Sequence, residues 1–273
     1  MLSVIVPASN EAGLIGRCIE ALLSSAFTRP TPWQLIIVAN GCLDSTADIA
    51  RSYADAAEQA NVDLLVLDLA EGNKLNAINV GETYAIGEIR VYIDADVIVE
   101  PGLLDQLARA LAGLEPAYAT GTLKIAPPRS WATRTYARFW SRLPFVTDGS
   151  AGCGVFAVNR SGRARWAKFP PIISDDTFVR LHFTPSERTT VRAGFTWPMV
   201  EGAGNLVRVR RRQDRGVQEI MRFYPQLLGN EGKSRARLLQ LARIDPTGFA
   251  FYALVALLTK LPPLSAGYWV RGR

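Results

Sequence analysis

Residues 91–97 read Val91-Tyr92-Ile93-Asp94-Ala95-Asp96-Val97. Val91 to Ile93 is a short apolar run of β-forming residues, the pattern of a buried strand, and two carboxylates one residue apart follow at once. Where a strand gives way to a turn, that spacing can send both side chains toward the same side. Three other runs have the character of the first: Leu2 to Val6, Leu35 to Val38 and Leu64 to Leu67. Between them, Ala12 to Leu23, Ser45 to Ala60 and Asn73 to Ile86 carry apolar residues at helical spacing. The order β-α-β-α-β-α-β predicts an α/β, Rossmann-like fold with a mostly parallel central sheet flanked by helices. Ligands of such sheets bind at the carboxyl ends of the strands.

Those ends hold polar residues: Ser9-Asn10-Glu11 after the first strand, Asn40-Gly41 after the second, Asp94-Ala95-Asp96 after the fourth. The expected site is therefore assembled from separate loops on one sheet edge. Pro101 at a helix N1 position opens a helical pattern from Leu103 to Leu114. Beyond residue 115 the pattern loosens, with Tyr118 to Ile125 strand-like, Trp131 to Arg142 helical and a Gly-rich turn from Gly149 to Gly154. Gln213 to Leu258 reads as two or three helices broken at Pro225, Gly229 and Pro246. With no repeat and no low-complexity linker, one continuous domain is expected.

The chain has 273 residues, 48% of them hydrophobic, enough for an ordinary core. Lys and Arg total 31 against 25 Asp and Glu, and the net charge of +6 suits an anionic partner without choosing a nucleotide, a phospholipid surface or nucleic acid. Cys18, Cys42 and Cys153 are far apart and form no C-x-x-C pair, which argues against a disulfide framework or a zinc site and for a reducing, cytoplasmic compartment. Nothing at the N-terminus resembles a secretory signal. Gly248 to Leu258 is strongly apolar but falls well short of the ~20 residues of a spanning helix, so it reads as a buried helix or as one lying in a membrane interface, with Tyr268, Trp269, Arg271 and Arg273 at the headgroups. From Arg208 to Arg243 ten basic residues stand against three acidic ones, a patch that suits an anionic membrane surface.

Asp94 and Asp96 supply two hard oxygen ligands, which beside a diphosphate suit Mn²⁺ or Mg²⁺, the phosphate oxygens and water completing the shell. Alone, Asp-x-Asp is equally the mark of a solvated turn. Other motifs accompany it in order: Val4-Ile5-Val6-Pro7-Ala8-Ser9-Asn10-Glu11, Val38-Ala39-Asn40-Gly41-Cys42-Leu43-Asp44-Ser45-Thr46, Glu71-Gly72-Asn73-Lys74-Leu75-Asn76-Ala77-Ile78-Asn79 and Ser174-Asp175-Asp176-Thr177. In this series, from about residue 2 to about residue 216, the chain resembles the family 2 glycosyltransferases, inverting nucleotide-sugar enzymes of the type A glycosyltransferase fold.

The resemblance implies nucleoside contacts from Pro7, Ala8, Ser9, Asn10 and Glu11 and from Asn40 and Gly41, with Lys74 near the phosphates. It implies a metal site at Asp94, Ala95 and Asp96, with Asp94 and Asp96 as ligands. An inverting transfer is a direct displacement at the anomeric carbon and needs a base for the acceptor hydroxyl. The resemblance makes Asp176 that base and Asp175 the neighbour that meets the acceptor; an acidic pair in a first helical turn would also stabilise the helix with no catalytic role. In the run Arg208 to Gly216, one or more of Arg211, Arg212 and Arg215 is expected on the diphosphate.

Two features depart from the family pattern. The polymer synthases carry Gln-x-x-Arg-Trp, whereas this chain has Gln213-Asp214-Arg215-Gly216, so addition of a single sugar is expected. Asn40 stands where many members have aspartate; its amide both donates and accepts, so a UDP-sugar is favoured and a GDP-sugar fits. The expected organisation is one transferase domain over 1–216, with a nucleotide half (1–115) and an acceptor half (116–216), and a helical, membrane-associating extension over 217–273. The acceptor is a glycan or a lipid-linked or polyprenyl-phosphate group. The competing readings are a sugar-phosphate nucleotidyltransferase, for which the residues after the first strand are wrong, and a basic nucleic-acid-binding module. Acidic residues at the strand ends argue against nucleic acid as a partner. His182 reads as structural, and Trp131, Tyr136, Phe139 and Trp140 as a packed helical face rather than a sugar platform.

Overall fold

The computed structural model describes residues 1–147, 150–232 and 238–262. Gly149 of the glycine-rich turn, Lys233, Arg235 and Arg237 of the basic region, and Tyr268, Trp269, Arg271 and Arg273 lie outside the described residues. In chain order the elements are β1 (Leu2–Ala8), α1 (Ile15–Leu23), β2 (Trp33–Asn40), α2 (Thr46–Arg51), α3 (Ala54–Gln59), β3 (Asp63–Leu69), α4 (Lys74–Tyr84), β4 (Ile89–Ile93), β5 (Ile98–Val99) and α5 (Leu103–Ala110). They continue as β6 (Tyr118–Ile125), α6 (Trp131–Trp140), α7 (Pro144–Thr147), β7 (Val155–Asn159), α8 (Arg160–Arg163), α9 (Asp175–Leu181), β8 (Arg188–Trp197), α10 (Ala203–Phe223), α11 (Leu238–Ile244) and α12 (Pro246–Leu258).

The sheet has the order β3-β2-β1-β4-β7-β6-β8-β5. Its first four strands are parallel, β7 runs against β4 and β6, and β6 and β8 are again parallel. Every residue of β1 and β2 is buried, because helices cover both faces: α1 and α5 pack on one side, α4 and α9 on the other. The winding reverses between β1 and β4, which opens a crevice at their carboxyl ends. Pairing of Leu2 with Ile89 through Ile5 with Tyr92 brings Asp94 level with Pro7, and pairing of Ala8 with Ala39 sets Ser9 beside Asn40.

Three expectations need correction. Ser45 to Ala60 is not one helix: the Ser52 hydroxyl donates to the Ile49 carbonyl at 2.7 Å, and the chain turns there between α2 and α3. Pro101 does not occupy N1, since the chain turns through Pro101-Gly102 and Gly102 is the N-cap of α5. The division expected at residue 216 falls inside a single helix, α10, whose 21 residues carry the arginine run.

Gly216 explains how α10 reaches the site. A Cβ there would stand 2.1 Å from the Ser174 Oγ, so only glycine lets the helix lie against the residue that precedes Asp175. The C-terminal helices are docked on the domain. Phe139 of α6 packs on Phe249 and Tyr252 of α12, Arg138 donates to both carboxylate oxygens of Asp245 at 2.7 and 2.8 Å, and Arg211 donates to the carbonyls of Leu258, Thr259 and Leu261. Among the described residues no helix is long and apolar enough to cross a membrane.

Candidate active site

The loop after β1 is locked to the loop after β2. Asn10, with φ +51°, accepts from the Leu43 amide at 2.6 Å, the Glu11 amide donates to the Thr46 hydroxyl at 2.7 Å, and the Ala12 amide donates to Asp44 at 3.1 Å. Gly41 has φ +56°, and a Cβ on it would lie 2.4 Å from the Gly72 amide nitrogen, so the loops after β2 and β3 meet backbone to backbone. The buried Asn40 amide donates to the carbonyls of Ala8 at 2.8 Å and Val38 at 3.2 Å. Both its protons are thereby engaged, and Oδ1 is left with the spare hydrogen-bonding capacity.

A cavity of about 710 Å³ opens at this edge. Pro7, Ser9, Asn10, Glu11, Asn40, Gly41, Lys74, Asp94, Ala95, Asp96, Asp175 and Arg212 line it, so most of the residues singled out in the sequence meet there. A smaller space of about 110 Å³ adjoins it, sharing Lys74, Asp94, Asp175, Trp197 and Arg212 and adding Asp176, Cys153 and Gly154. Ala8 is buried off the wall and contributes its carbonyl. Arg211 is spent on the end of α12, and Arg215 is exposed away from the cavity. Arg212 differs from both: it lines the cavity, and its Nε is buried with no hydrogen-bond partner among the described residues.

Lys74, the first residue of α4, sits between two carboxylates, 2.8 Å from Asp94 and 3.0 Å from Asp175. Desolvation works against its charge, but Asp175 and Asp94 outweigh that and hold its pKa above the ordinary lysine value. Asp176 is in the opposite position. Burial and the neighbouring Asp175 charge push its carboxyl up to about 6, against the opposing effects of Lys74 and the Thr177 amide. A carboxylate with that pKa is a stronger base than an ordinary aspartate while remaining ionised at neutral pH.

Among the described residues no group of three or more His, Cys, Asp or Glu side chains is arranged to hold a metal ion. Asp94 and Asp96 nevertheless fit a divalent cation that draws the rest of its shell from a diphosphate and water, since Mg²⁺-type sites commonly use one or two carboxylates. The orphaned Arg212 donor on the same wall suits the anion such a site requires.

Residues 3–167 match the model of the family described as Glycosyl transferase family 2. The chain belongs to this family. It is 30% identical over 174 residues to the 4,4'-diaponeurosporenoate glycosyltransferase of Staphylococcus aureus strain MRSA252, a match covering 63% of this chain and 42% of that protein. It is 26% identical over 164 residues to the undecaprenyl-phosphate 4-deoxy-4-formamido-L-arabinose transferase of Proteus mirabilis, covering 58% and 49% respectively. The chain thus spans less than half the length of these relatives. Its fold is similar to that of the mannosyltransferase PcManGT of Pyrobaculum calidifontis, solved in complex with GDP-Man and Mn²⁺ (TM-score 0.60, 20% identity, 96% of this chain and 76% of that one). The type A glycosyltransferase fold expected from the sequence is the fold found.

The remaining cavity wall of this family 2 member went unread in the sequence. Trp197, Pro198, Met199 and Val200 come from the end of β8 and the loop behind it, Tyr136 and Trp140 from α6, and Leu206, Val209, Arg210 and Gln213 from α10. The spacing 206, 209, 210, 213 is one helical face, a signal available once the arginine run is read as helix. Of the four aromatics of α6, Phe139 is fully buried and Trp131 is exposed against Phe251. Tyr136 and Trp140 line the cavity, so the α6 face is both core and wall. His182 packs on Trp166 and Phe178 at the end of α9, with Nδ1 2.8 Å from the Phe178 carbonyl oxygen.

Proposed function

We propose that the protein is an inverting glycosyltransferase that moves a single sugar from a nucleoside-diphosphate sugar to an acceptor hydroxyl on a glycan or a lipid-linked group. The observation that carries this reading is the meeting of Asp94, Asp96, Lys74, Arg212 and the Asp175-Asp176 pair at the crevice where β1 and β4 diverge. Family membership favours it over the nucleotidyltransferase and nucleic-acid readings.

In the proposed reaction the acceptor oxygen attacks the anomeric carbon as the bond from that carbon to the phosphate oxygen breaks. Asp176 takes the hydroxyl proton, and the bonding electrons leave with the nucleoside diphosphate. Lys74 and Arg212 offset the charge that accumulates on the leaving group. Asp94 and Asp96 would hold Mn²⁺ or Mg²⁺, which supplies further neutralisation of the diphosphate. With Asp94 serving as a ligand to such a cation, Lys74 would keep Asp175 as its carboxylate partner. Asn40 Oδ1 accepts from a base with a ring imide or lactam N–H, which uracil and guanine have and neutral adenine and cytosine lack.

A thermal-shift comparison of UDP, GDP, ADP and CDP, with and without Mn²⁺, tests this donor assignment. UDP or GDP should raise the midpoint only when the metal is present. Equal stabilisation by all four, or by none, would overturn it.

The C-terminal region is proposed to rest on an anionic membrane surface. Leu254, Leu257 and Leu261 are exposed, and the exposed Arg208, Arg215, Arg222 and Arg243 suit the charge of such a surface. Sedimentation with phosphatidylglycerol vesicles should exceed that with phosphatidylcholine vesicles and should drop on Leu254→Ser with Leu257→Ser. Equal recovery in the supernatant in every case would remove the idea.

A further inference from the structure

The cavity is polar over only part of its wall. Another part is formed by Tyr136, Trp140, Met199, Val200, Leu206 and Val209, side chains poor in hydrogen-bonding groups. Apart from the Tyr136 hydroxyl and the Trp140 indole N–H, these side chains offer a carbohydrate no strong partners. Sugar hydroxyls lying there would lose water without replacement.

One charge stands on this wall. Arg210 donates through Nη1 to the hydroxyls of Tyr252 at 2.9 Å and Tyr136 at 3.3 Å and through Nε to Asp214 at 3.1 Å, with its guanidinium 5.1 Å from the Tyr252 ring centroid. Tyr252 stacks on Tyr136 at 5.4 Å, so α6, α10 and α12 together fix the group. Its Nη2 is not engaged by any described residue, whereas the other two nitrogens are. The result is a held cation at the margin of an apolar surface, complementary to a molecule with an anionic group attached to an apolar chain.

We propose that this part of the cavity is an acceptor subsite for an amphiphile: an isoprenoid or acyl chain lies along the α6 and α10 wall, and the phosphate that joins it to the hydroxyl-bearing group rests on Arg210. Tyr252 and Tyr136 are positioning residues that aim the guanidinium. The inference rests on the transferase reading and narrows its acceptor to one class. It also gives α12 a part in the site, through Tyr252, on the helix that carries the exposed Leu254 and Leu257.

The test is a titration of the full chain, loaded with nucleoside diphosphate and Mn²⁺, with farnesyl phosphate below its micellar concentration, farnesol, inorganic phosphate and maltotriose, followed by tryptophan fluorescence. Farnesyl phosphate should bind at least tenfold more tightly than farnesol or inorganic phosphate, and maltotriose should bind weakest. Arg210→Gln should bring farnesyl phosphate down to the level of farnesol, and Val209→Asn should weaken both. Tyr252→Phe, which keeps the packing, should reduce the preference for the phosphate several-fold. Preference for maltotriose, or farnesyl phosphate binding indifferent to Arg210→Gln and Val209→Asn, would overturn the subsite while nucleotide binding still stood. Failure of the nucleotide to bind would sink the transferase reading and the subsite with it.

Discussion

Asp176→Asn is expected to reduce turnover by about 10³-fold and at the same time to raise the thermal midpoint at pH 7.5. The two effects share one cause. The Asp176 carboxyl is held at about 6, above its ordinary value of 3.8, by burial and the Asp175 charge. Its ionised form therefore costs the folded state free energy that the unfolded chain does not pay. The sign follows from proton linkage: below pH 4 the group is protonated in both states and costs nothing, between pH 4 and 6 the cost grows, and above 6 it is complete. A displacement of this size corresponds to on the order of 3 kcal/mol. The amide removes that cost, and the midpoint should rise by roughly 6–12 °C. Scanning calorimetry of the two apo proteins from pH 4.5 to 8 should show the difference opening with pH. The wild-type kcat/KM should rise with pH through a limb near 6 that the variant lacks. Undiminished transfer by Asp176→Asn would end the base assignment, and a lower midpoint at pH 7.5 would contradict the strained carboxylate.

Removal of the cation, or Asp96→Ala, is expected to lower turnover by about 10²–10³-fold, equivalent to the several kcal/mol that a metal contributes at a charged leaving group. Asp94 is held by Lys74 at 2.8 Å, and Asp96 lines the cavity beside it. The variant should lose the Mn²⁺ dependence of nucleotide binding and keep its circular-dichroism spectrum, since the site is at the protein surface rather than in the core. Asp94→Ala should act differently: it leaves Lys74 with Asp175 alone, so residual nucleotide affinity should survive through the freed ammonium. Isothermal titration with nucleoside diphosphate in Mn²⁺ and in EDTA measures both. Identical affinity for wild type and Asp96→Ala in Mn²⁺ would exclude Asp96 as a ligand.

The strand-end wall of the cavity was legible in the sequence because its residues are tied to strand ends. A buried strand of four or five apolar residues announces its own end, and the residues after it fall on the ligand-binding edge of a parallel sheet whatever the loop conformation. Ser9, Asn40, Asp94 and Asp96 were reached that way, and β1 to β4 lie where their apolar runs placed them. The opposite wall was not legible, because its residues come from helix faces and a loop whose orientation depends on packing. Arg210, Arg211 and Arg212 are consecutive and chemically alike. A helix turns 100° per residue, so Arg210 meets Tyr136 and Tyr252, Arg211 caps the end of α12, and Arg212 lines the cavity beside Lys74.

By itself the sequence determined the α/β order and the strand-end placement of the carboxylates and of Asn40-Gly41, because these depend on short-range patterning. Only the tertiary structure decided how the two halves meet. Gly216 lets α10 close on Ser174 and carries Arg212 to Lys74 and the acidic pair, α6 brings Tyr136 and Trp140 to the cavity, and α12 fixes Arg210 from behind. Each of these contacts joins residues tens of positions apart, and close packing of side chains, which no local pattern encodes, selects among the faces each helix could present.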